Sequence, residues 1–303
     1  MTGKLDIFTA ADLCVDAVLR GNVRPRFGQV EQSIDDYRLH LGGSATIFAS
    51  QAAKLGANVG IAGVVGDDLF GRFVLDELKK LNLDLSRVRV DATIKTGVGF
   101  ALVEAVDRAI LTYSGSIDAL EVSDLRDDLL TAARHWHVAS FFLLTKLQPH
   151  WPKWLEKLRK HGVTISHDTN WDPAEQWRGV LPLLPLVDVF LPNEAEALAM
   201  TGATDVYAAG RKLAAHGPLV VIKRDVRGAI AFTRGEPIEL PLGAQPSVVD
   251  TIGAGDCFDA GFIRAWQLGM PLERCLRTGL RCGSASVTAA GGFDGQLREV
   301  IRS

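Results

Sequence analysis

The fold is decided by the stretch Asp250-Thr251-Ile252-Gly253-Ala254-Gly255-Asp256-Cys257-Phe258-Asp259-Ala260-Gly261-Phe262-Ile263. A strand-like Pro246-Ser247-Val248-Val249 leads into it, and a helical pattern, DCFDAGFIRAWQLG from Asp256 to Gly269, leads away. Gly253 and Gly255 around Ala254 let three successive backbone N–H groups (Gly253, Ala254 and Gly255) point into one small space at a helix N-terminus. The helix dipole also favours negative charge there. Asp256 at the helix mouth stands where a carboxylate takes a proton from a hydroxyl while the cradle stabilises charge on a moving phosphoryl group. A base beside an anion hole predicts phosphoryl transfer to an alcohol. The same residues also fit a plain strand-to-helix turn capped by Asp256.

Working outward, the strand–helix alternation repeats. LDIFTAADLCVD (5–16) opens with a strand, read as ending at Asp16, and GSATIFASQAAKLG (43–56) follows as a helix closed by Gly56. NVGIAGVVG (58–66) reads as a buried strand and LFGRFVLDELKKLNL (69–83) as an amphipathic helix with Phe70, Phe73, Leu75 and Leu78 on its apolar face. HWHVAS, VTISHD, VDVFL and PLVVIK are later short apolar strands separated by helical stretches. This pattern predicts an α/β fold, a doubly wound, mostly parallel sheet with helices on both faces.

Two segments break the rhythm. Residues 17–41 and 96–116 alternate polar with apolar residues, and the second reads as a hairpin, GVGFALVEA and RAILTY turning at Val106 and Asp107. Strands with one dry and one wet face do not suit a buried parallel sheet. They are expected to pair as a small β-sheet lid over a cleft. The chain thus reads as one domain over 1–303, its core at about 1–16, 42–95 and 117–303 and its lid at 17–41 and 96–116.

Composition narrows the partners. The chain has 303 residues, 47% of them apolar, and 33 basic against 36 acidic side chains give a net charge of −3. No block of one sign marks a nucleic-acid or membrane surface, so a small-molecule partner is expected. Apolar runs stop short of the ~20 residues a membrane helix needs, and MTGKLDIFTAADL lacks a basic segment followed by a long apolar one, which predicts a cytoplasmic protein. Cys14, Cys257, Cys275 and Cys282 form no CxxC pair, so neither a disulfide nor a cysteine-bound zinc is expected. There is no G-x-x-x-x-G-K-[ST] loop and no G-x-G-x-x-G after a strand, which removes support for P-loop enzymes and Rossmann dehydrogenases.

DTIGAGDCFDAGFI, Leu41-Gly42-Gly43-Ser44-Ala45 with the helix after it, and VGIAGVVGDDLFGRF together resemble the two signatures of the PfkB or ribokinase family of ATP-dependent carbohydrate kinases. DLCVD (12–16), DRAILTYSG, DTNWDP (168–173) and LPNEAEA (191–197) match in order, so the resemblance spans essentially the whole chain. It implies a ribokinase-like fold, ATP and Mg2+ as cofactors, and a small sugar as acceptor. In this likeness Asp256 is the base and the Gly253, Ala254 and Gly255 amides form the anion hole. Asn193 and Glu196 match an N-x-x-E element that helps place hydrated Mg2+, in keeping with an ion that retains its waters. They also read simply as a helix cap and its first turn.

On the acceptor side, Asp16 reads as a strand-end carboxylate able to accept hydrogen bonds from a sugar diol. Asp12 precedes it in the same matched segment. Gly42 and Gly43 allow close approach of a polyol to the next helix, or serve only as a tight loop. The family commonly carries Asn where this chain has Ile47, with Thr46 just before it as a polar candidate. Asp168 and Asn170 resemble a polar pair near the acceptor and phosphate, although Asp172 replaces a basic residue. On the nucleotide side, Lys223-Arg224-Asp225-Val226-Arg227-Gly228 stands at a family Lys-x-Gly-x-x-Gly turn, with Asp225 in a glycine's place. Lys223 and Arg224 are candidates to neutralise phosphates, or ordinary surface charges. By resemblance, the last helix, Leu272 to Ala290, and the Gly291-Gly292 loop wall the adenine. By the same resemblance Asp250, the Ile252 carbonyl and carbonyls around Ala285 to Gly291 imply a site for a monovalent cation, potassium.

His135 and His137 share one strand face and suit metal, but no third ligand is visible, and packing at a sheet edge is expected instead. Trp151, Trp154, Trp171 and Trp177 read as a packing cluster rather than a stacking platform. An exposed lid also offers strands to a second copy, which predicts a homodimer through the lid. Two other readings stay open: a nucleoside kinase of the same fold, and a sugar or nucleotide sensor without catalysis.

Overall fold

The computed structural model describes residues 4–104, 108–244 and 247–302. The expected turn at Val106 and Asp107 and the residue Pro246 lie outside them. Leu5–Ala10 (β1) starts the core. Cys14–Arg20 (β2) and Asp36–Gly42 (β3) then run antiparallel to each other in a separate sheet. Ser44–Lys54 (α1) leads to Val59–Gly66 (β4), which is buried along its whole length as a central parallel strand must be. Leu69–Lys79 (α2) ends earlier than its apolar pattern suggests, and Leu83–Asp91 is a further strand (β5). Val74, outside the expected apolar face of α2, is fully buried, whereas Phe70, Phe73 and Leu75 pack only partly.

Gly97–Val103 (β6) and Arg108–Tyr113 (β7) form the expected antiparallel pair. Ala133–Val138 (β8), Trp151–Lys160 (α3), Thr164–His167 (β9) and Val189–Phe190 (β10) continue the alternation. Glu194–Thr201 (α4), Val206–Ala214 (α5) and Leu219–Lys223 (β11) follow. Ala229–Phe232 (β12) and Ile238–Leu240 (β13) add two antiparallel strands. Ala254–Gln267 (α6), Leu272–Ser286 (α7) and the short Gly291–Asp294 (α8) close the chain.

The large sheet has nine strands in the order β13-β12-β11-β10-β9-β8-β1-β4-β5. One face carries Phe8, Trp136 and Phe190 and is covered by α3 to α5, with Trp154 contributed by α3; the other carries Ile7 and Ile61 and is covered by α1, α2, α6 and α7, with Phe48 contributed by α1 and Phe262 by α6. Strand order reverses around β1, which lies between β4 and β8. In open α/β sheets the crevice beyond the strand ends at such a switch point is where ligands bind.

The second sheet has four strands, β3-β2-β6-β7. Asp16 is corrected by it: β1 stops at Ala10, and Asp16 lies on β2, opposite His40 and Gly99. The chain leaves the large sheet after Ala11 donates its N–H to the Ala62 carbonyl at 2.7 Å. Asp16 therefore belongs to the cover and Asp12 to the junction. His135 and His137 are likewise corrected, since β8 is flanked by β9 and β1 in mid-sheet. Both rings are buried and share the Ser166 hydroxyl, at 2.7 Å each. Burial alone pushes His135 down to about 3, and burial, with His135, His167 and Lys223 adding to it against the pull of Asp168, drives His137 well below the ordinary imidazole range. The tryptophans do pack: Trp151 and Trp154 are buried in α3, and Trp171 meets Trp177 edge-on at 5.1 Å.

Candidate active site

Gly253 is the N-cap of α6 with φ +75°, a left-handed conformation that turns the chain into the helix. A Cβ there would lie 2.9 Å from Ile47 and 3.0 Å from Gly292, so close approach as well as backbone angle requires glycine. The helix begins at Ala254, ahead of the expected Asp256. Ser247–Val249 is no strand: the Val249 N–H donates to the Val287 carbonyl at 2.8 Å, beside the end of α7. Of the three amides expected to form the cradle, that of Ala254 turns back to the Thr251 carbonyl at 3.4 Å. Among the described residues no protein acceptor takes the N–H of Gly255 or Asp256. The first turn of α6 thus offers an anion site built partly by Asp256 itself.

Asp256 is buried at the edge of a cavity of about 630 Å³. Burial, reinforced by the charge of Asp168, pushes its carboxyl well above the ordinary range. A hydrogen bond from Ser44 works in the opposite direction. Ser44 is itself fixed, accepting from Asn170 Nδ2 at 2.8 Å, while Asn170 Oδ1 accepts the Ser140 N–H at 2.7 Å. Asn170 thereby fixes Ser44 beside Asp256, and Ser44, which carries no role in the sequence reading of Gly-Gly-Ser, lines the cavity.

Lys223 projects from the end of β11 into a nest of carboxylates. Its Nζ lies 2.8 Å from Asp168 Oδ2 and 3.1 and 3.0 Å from the two oxygens of Asp259. Burial opposes charge on Lys223, yet the two aspartates hold its ammonium well above the ordinary lysine range. In turn Lys223 keeps Asp168 low against the effect of burial, while burial drives Asp259 high. Sequence reasoning alone leaves Asp259 without a role. The signal was its place one turn after Asp256, which puts both on one helix face.

At the end of the cavity where the acceptor is expected, Asp12 accepts the N–H groups of Ser44 and Ala45 at 3.1 and 3.2 Å, capping α1 from across the junction. Gly43, φ +97°, permits this, since a Cβ would lie 2.5 Å from the Asp12 carbonyl oxygen. The α1 amides expected to meet a polyol are thus taken by Asp12. Burial raises the Asp12 carboxyl above its ordinary range. Asp12, Asp16, Gly43, Ile47, Asp168 and Asn170 line the cavity. Gly42 and Thr46 do not. Gly42 ends β3 and makes room for Asp16, whereas Thr46 is buried in α1 with its hydroxyl unpartnered. A helix rotates side chains by about 100° per residue, which aims Ile47 at the cavity and Thr46 at the core.

At the other end, Asn193, Glu196, Lys223, Arg224, Gly228, Ile252, Gly253, Ala254 and Gly255 line the same cavity. Asn193 and Glu196 form a capping box, each side chain accepting the other's N–H at 2.8 Å. Burial and the Asp168 charge raise Glu196 to about 7. Arg224 is held by Glu194 at 3.0 Å and by Glu239, so this expected phosphate cation is already paired. Asp225 stands in the left-handed conformation, φ +49°, which a glycine in its place would adopt without strain. The last long helix stops at Ser286, not Ala290, and Gly291 begins α8 rather than a loop. Ala290 and Gly291 do not reach the cavity lining. Asp250 accepts the N–H of Ile252 at 3.0 Å and of Gly291 at 3.1 Å, and the Arg20 guanidinium stands 4.0 Å from it. The carboxylate implied as a potassium ligand thus already accepts two N–H groups of its own chain.

Residues 11–296 match the model of the pfkB family of carbohydrate kinases. The chain is 29% identical over 308 residues to a 2-dehydro-3-deoxygluconokinase of Bacillus subtilis, covering 95% of each. It is 32% identical over 249 residues to a cytidine kinase of Thermococcus kodakarensis, covering 79% of this chain and 84% of that one. A solved structure of a putative ribokinase II from E. coli, in complex with ATP and Mg2+, matches with a TM-score of 0.85 at 25% identity over 97% of this chain and 96% of that one. No described helix is long and apolar enough to cross a membrane.

Proposed function

Because the chain belongs to the pfkB family of carbohydrate kinases, we propose that this cavity transfers the γ-phosphoryl group of ATP to a sugar hydroxyl with Asp256 as base. The observation that carries the assignment of roles is the meeting, in one cavity, of a buried carboxylate and the N–H groups of the α6 terminus. Asp256 accepts the proton of the acceptor hydroxyl, whose oxygen bonds to the γ-phosphorus as the bond to the bridging oxygen breaks and ADP leaves. The amides of Gly255 and Asp256 stabilise charge on the moving group, a contribution usually worth about 10²–10³ in rate per donor.

Asn193 and Glu196 would hold a hydrated Mg2+. They supply hard oxygen atoms on the cavity wall, and among the described residues no group of three ligating side chains is built for a metal, so the ion would be shared with the nucleotide phosphates. When bound, it neutralises the charge of the β- and γ-phosphates. Asp12, Asp16 and Asn170 orient the acceptor in this reading, and the four-stranded sheet is its lid within a single domain. On the face turned away from the cavity, Tyr37, Leu39, Phe100, Leu111 and Tyr113 leave apolar surface exposed, which supports a homodimer formed through the lid.

The test is acceptor-dependent ADP release over a panel of free sugars and nucleosides. Asp16→Ala should raise the acceptor KM by about 10- to 100-fold, the worth of a charge-assisted hydrogen bond, with the ATP KM unchanged. Equal damage to both substrates assigns Asp16 to the fold. Turnover of nucleosides but not sugars favours the second reading, to which the resemblance to a cytidine kinase lends weight. ATP binding without any turnover favours a sensor.

A further inference from the structure

Asp259 is fully buried on α6 and takes no part in the proton transfer just described. A carboxylate in such a place is costly unless it is paired, so its partner defines its purpose. Both of its oxygens meet Lys223 Nζ, at 3.1 and 3.0 Å, and Asp168, just after β9, meets the same nitrogen at 2.8 Å. The resulting position is specific: a Cβ placed on Gly255 would lie 3.5 Å from that Nζ. The ammonium therefore sits directly beside the first turn of α6, against the residue whose free N–H belongs to the anion hole. Asp259 follows Asp256 by three residues, so one helix carries both the base and the anchor of the cation.

We propose that Asp259 is a positioning residue that holds the Lys223 ammonium beside the α6 anion hole, where its charge supports phosphoryl transfer. The inference rests on the kinase reading of Asp256. A lysine on a flexible four-carbon stem loses its preferred place when an anchor is removed, whereas two carboxylates leave it little freedom. Fixed charge near the developing anion needs no reorganisation during the reaction and acts strongly in a buried site. Four acidic groups surround the cation, namely Asp168, Asp259, Glu196 and Asp256. Only the first two touch it, and Asp168 also receives the Asn170 N–H at 3.2 Å. Asp259 meets the ammonium with both oxygens, and a side-chain hydrogen bond between Asp259 and Asp168 ties the two anchors together.

Asp259→Asn keeps the shape of the side chain and one oxygen, leaving Lys223 balanced against Asp168. Steady-state kinetics per folded molecule should show kcat lowered about 10- to 100-fold, with the KM of ATP and of acceptor within about threefold of wild type. Asp259→Leu should fall further, so that the conservative change rescues part of the rate. Lys223→Met should lower kcat at least as much as Asp259→Asn, and combining the two should cost little beyond Lys223→Met alone, because Asp259 acts through Lys223. Unchanged kcat in Asp259→Asn with only a lower melting temperature overturns the proposal, as does a double variant whose loss is the product of the single ones. An Asp259→Asn protein that does not fold also assigns the residue to the scaffold. If Lys223→Met alone fails to fold, the double variant, with one carboxylate fewer, supplies the comparison with Asp259→Asn. Asp256→Asn run in parallel separates the two ideas: if it retains full turnover, the kinase reading of the base has failed.

Discussion

Lys223 Nζ and Asp168 Oδ2 lie 2.8 Å apart although the residues are 55 positions apart in the chain, the one ending β11 and the other following β9. This contact holds a buried cation on the wall of the cavity, and it makes several consequences measurable.

Removing the cation should be far worse than removing one of its partners. Lys223→Met leaves Asp168 and Asp259 facing each other without compensation, and breaking a buried pair from one side costs about 3–5 kcal/mol. Urea unfolding should report a loss of this size, and adding Asp259→Asn should recover part of it. An equal or greater loss in the double variant would contradict mutual repulsion as the cause.

Asp256→Asn should fold and bind an ATP analogue normally while turnover falls by about 10²–10⁴, since only proton abstraction is lost. Retained turnover would mean that Asp256 is only a helix cap and the base lies elsewhere.

Ser44→Ala probes how the base is tuned. The Ser44 hydrogen bond favours the charged form of Asp256 against the effect of burial and the Asp168 charge. Its loss should raise the carboxyl further, so the acid limb of the kcat/KM profile should move to higher pH. A profile that keeps its position while only the maximum drops would remove Ser44 from this role.

His135 should make stability depend on pH in a defined window. Burial holds the folded imidazole down at about 3 against an ordinary 6.5, so the unfolded chain binds a proton there that the folded chain refuses. As pH falls below 6.5, the wild type should lose stability relative to His135→Gln by about 1.4 kcal/mol per pH unit, until the folded group itself titrates. Urea midpoints of the pair at pH 7, 6 and 5 measure this, and parallel lines would show that the histidine is not held neutral.

The four-stranded sheet should respond to ligands more than the core does. Hydrogen exchange with and without acceptor plus ATP analogue should show added protection in residues 17–41 and 96–116, as expected of a lid that excludes water. Protection equal to that of β1 and β4 before any ligand is added, in a protein that light scattering finds monomeric, would make these strands a fixed wall.

What the sequence determined is what neighbouring residues impose on one another. The alternation of short apolar strands with amphipathic helices follows from periodicity, and it correctly foretold β1, β4 and β8 to β11 in a mostly parallel sheet. The Asn193–Glu196 capping box is equally local, because its two members stand three positions apart. The tertiary structure decided the rest, where partners are remote. Asp16 moved from the core to the small sheet because β2 pairs with β3 and β6, a choice that alternating residues leave open. Lys223 and Arg224 looked like ready phosphate ligands, but their charges are engaged by Asp168, Asp259, Glu194 and Glu239. Charge is written in the sequence. The field it creates depends on distance and on exclusion of water, which only the packed chain establishes.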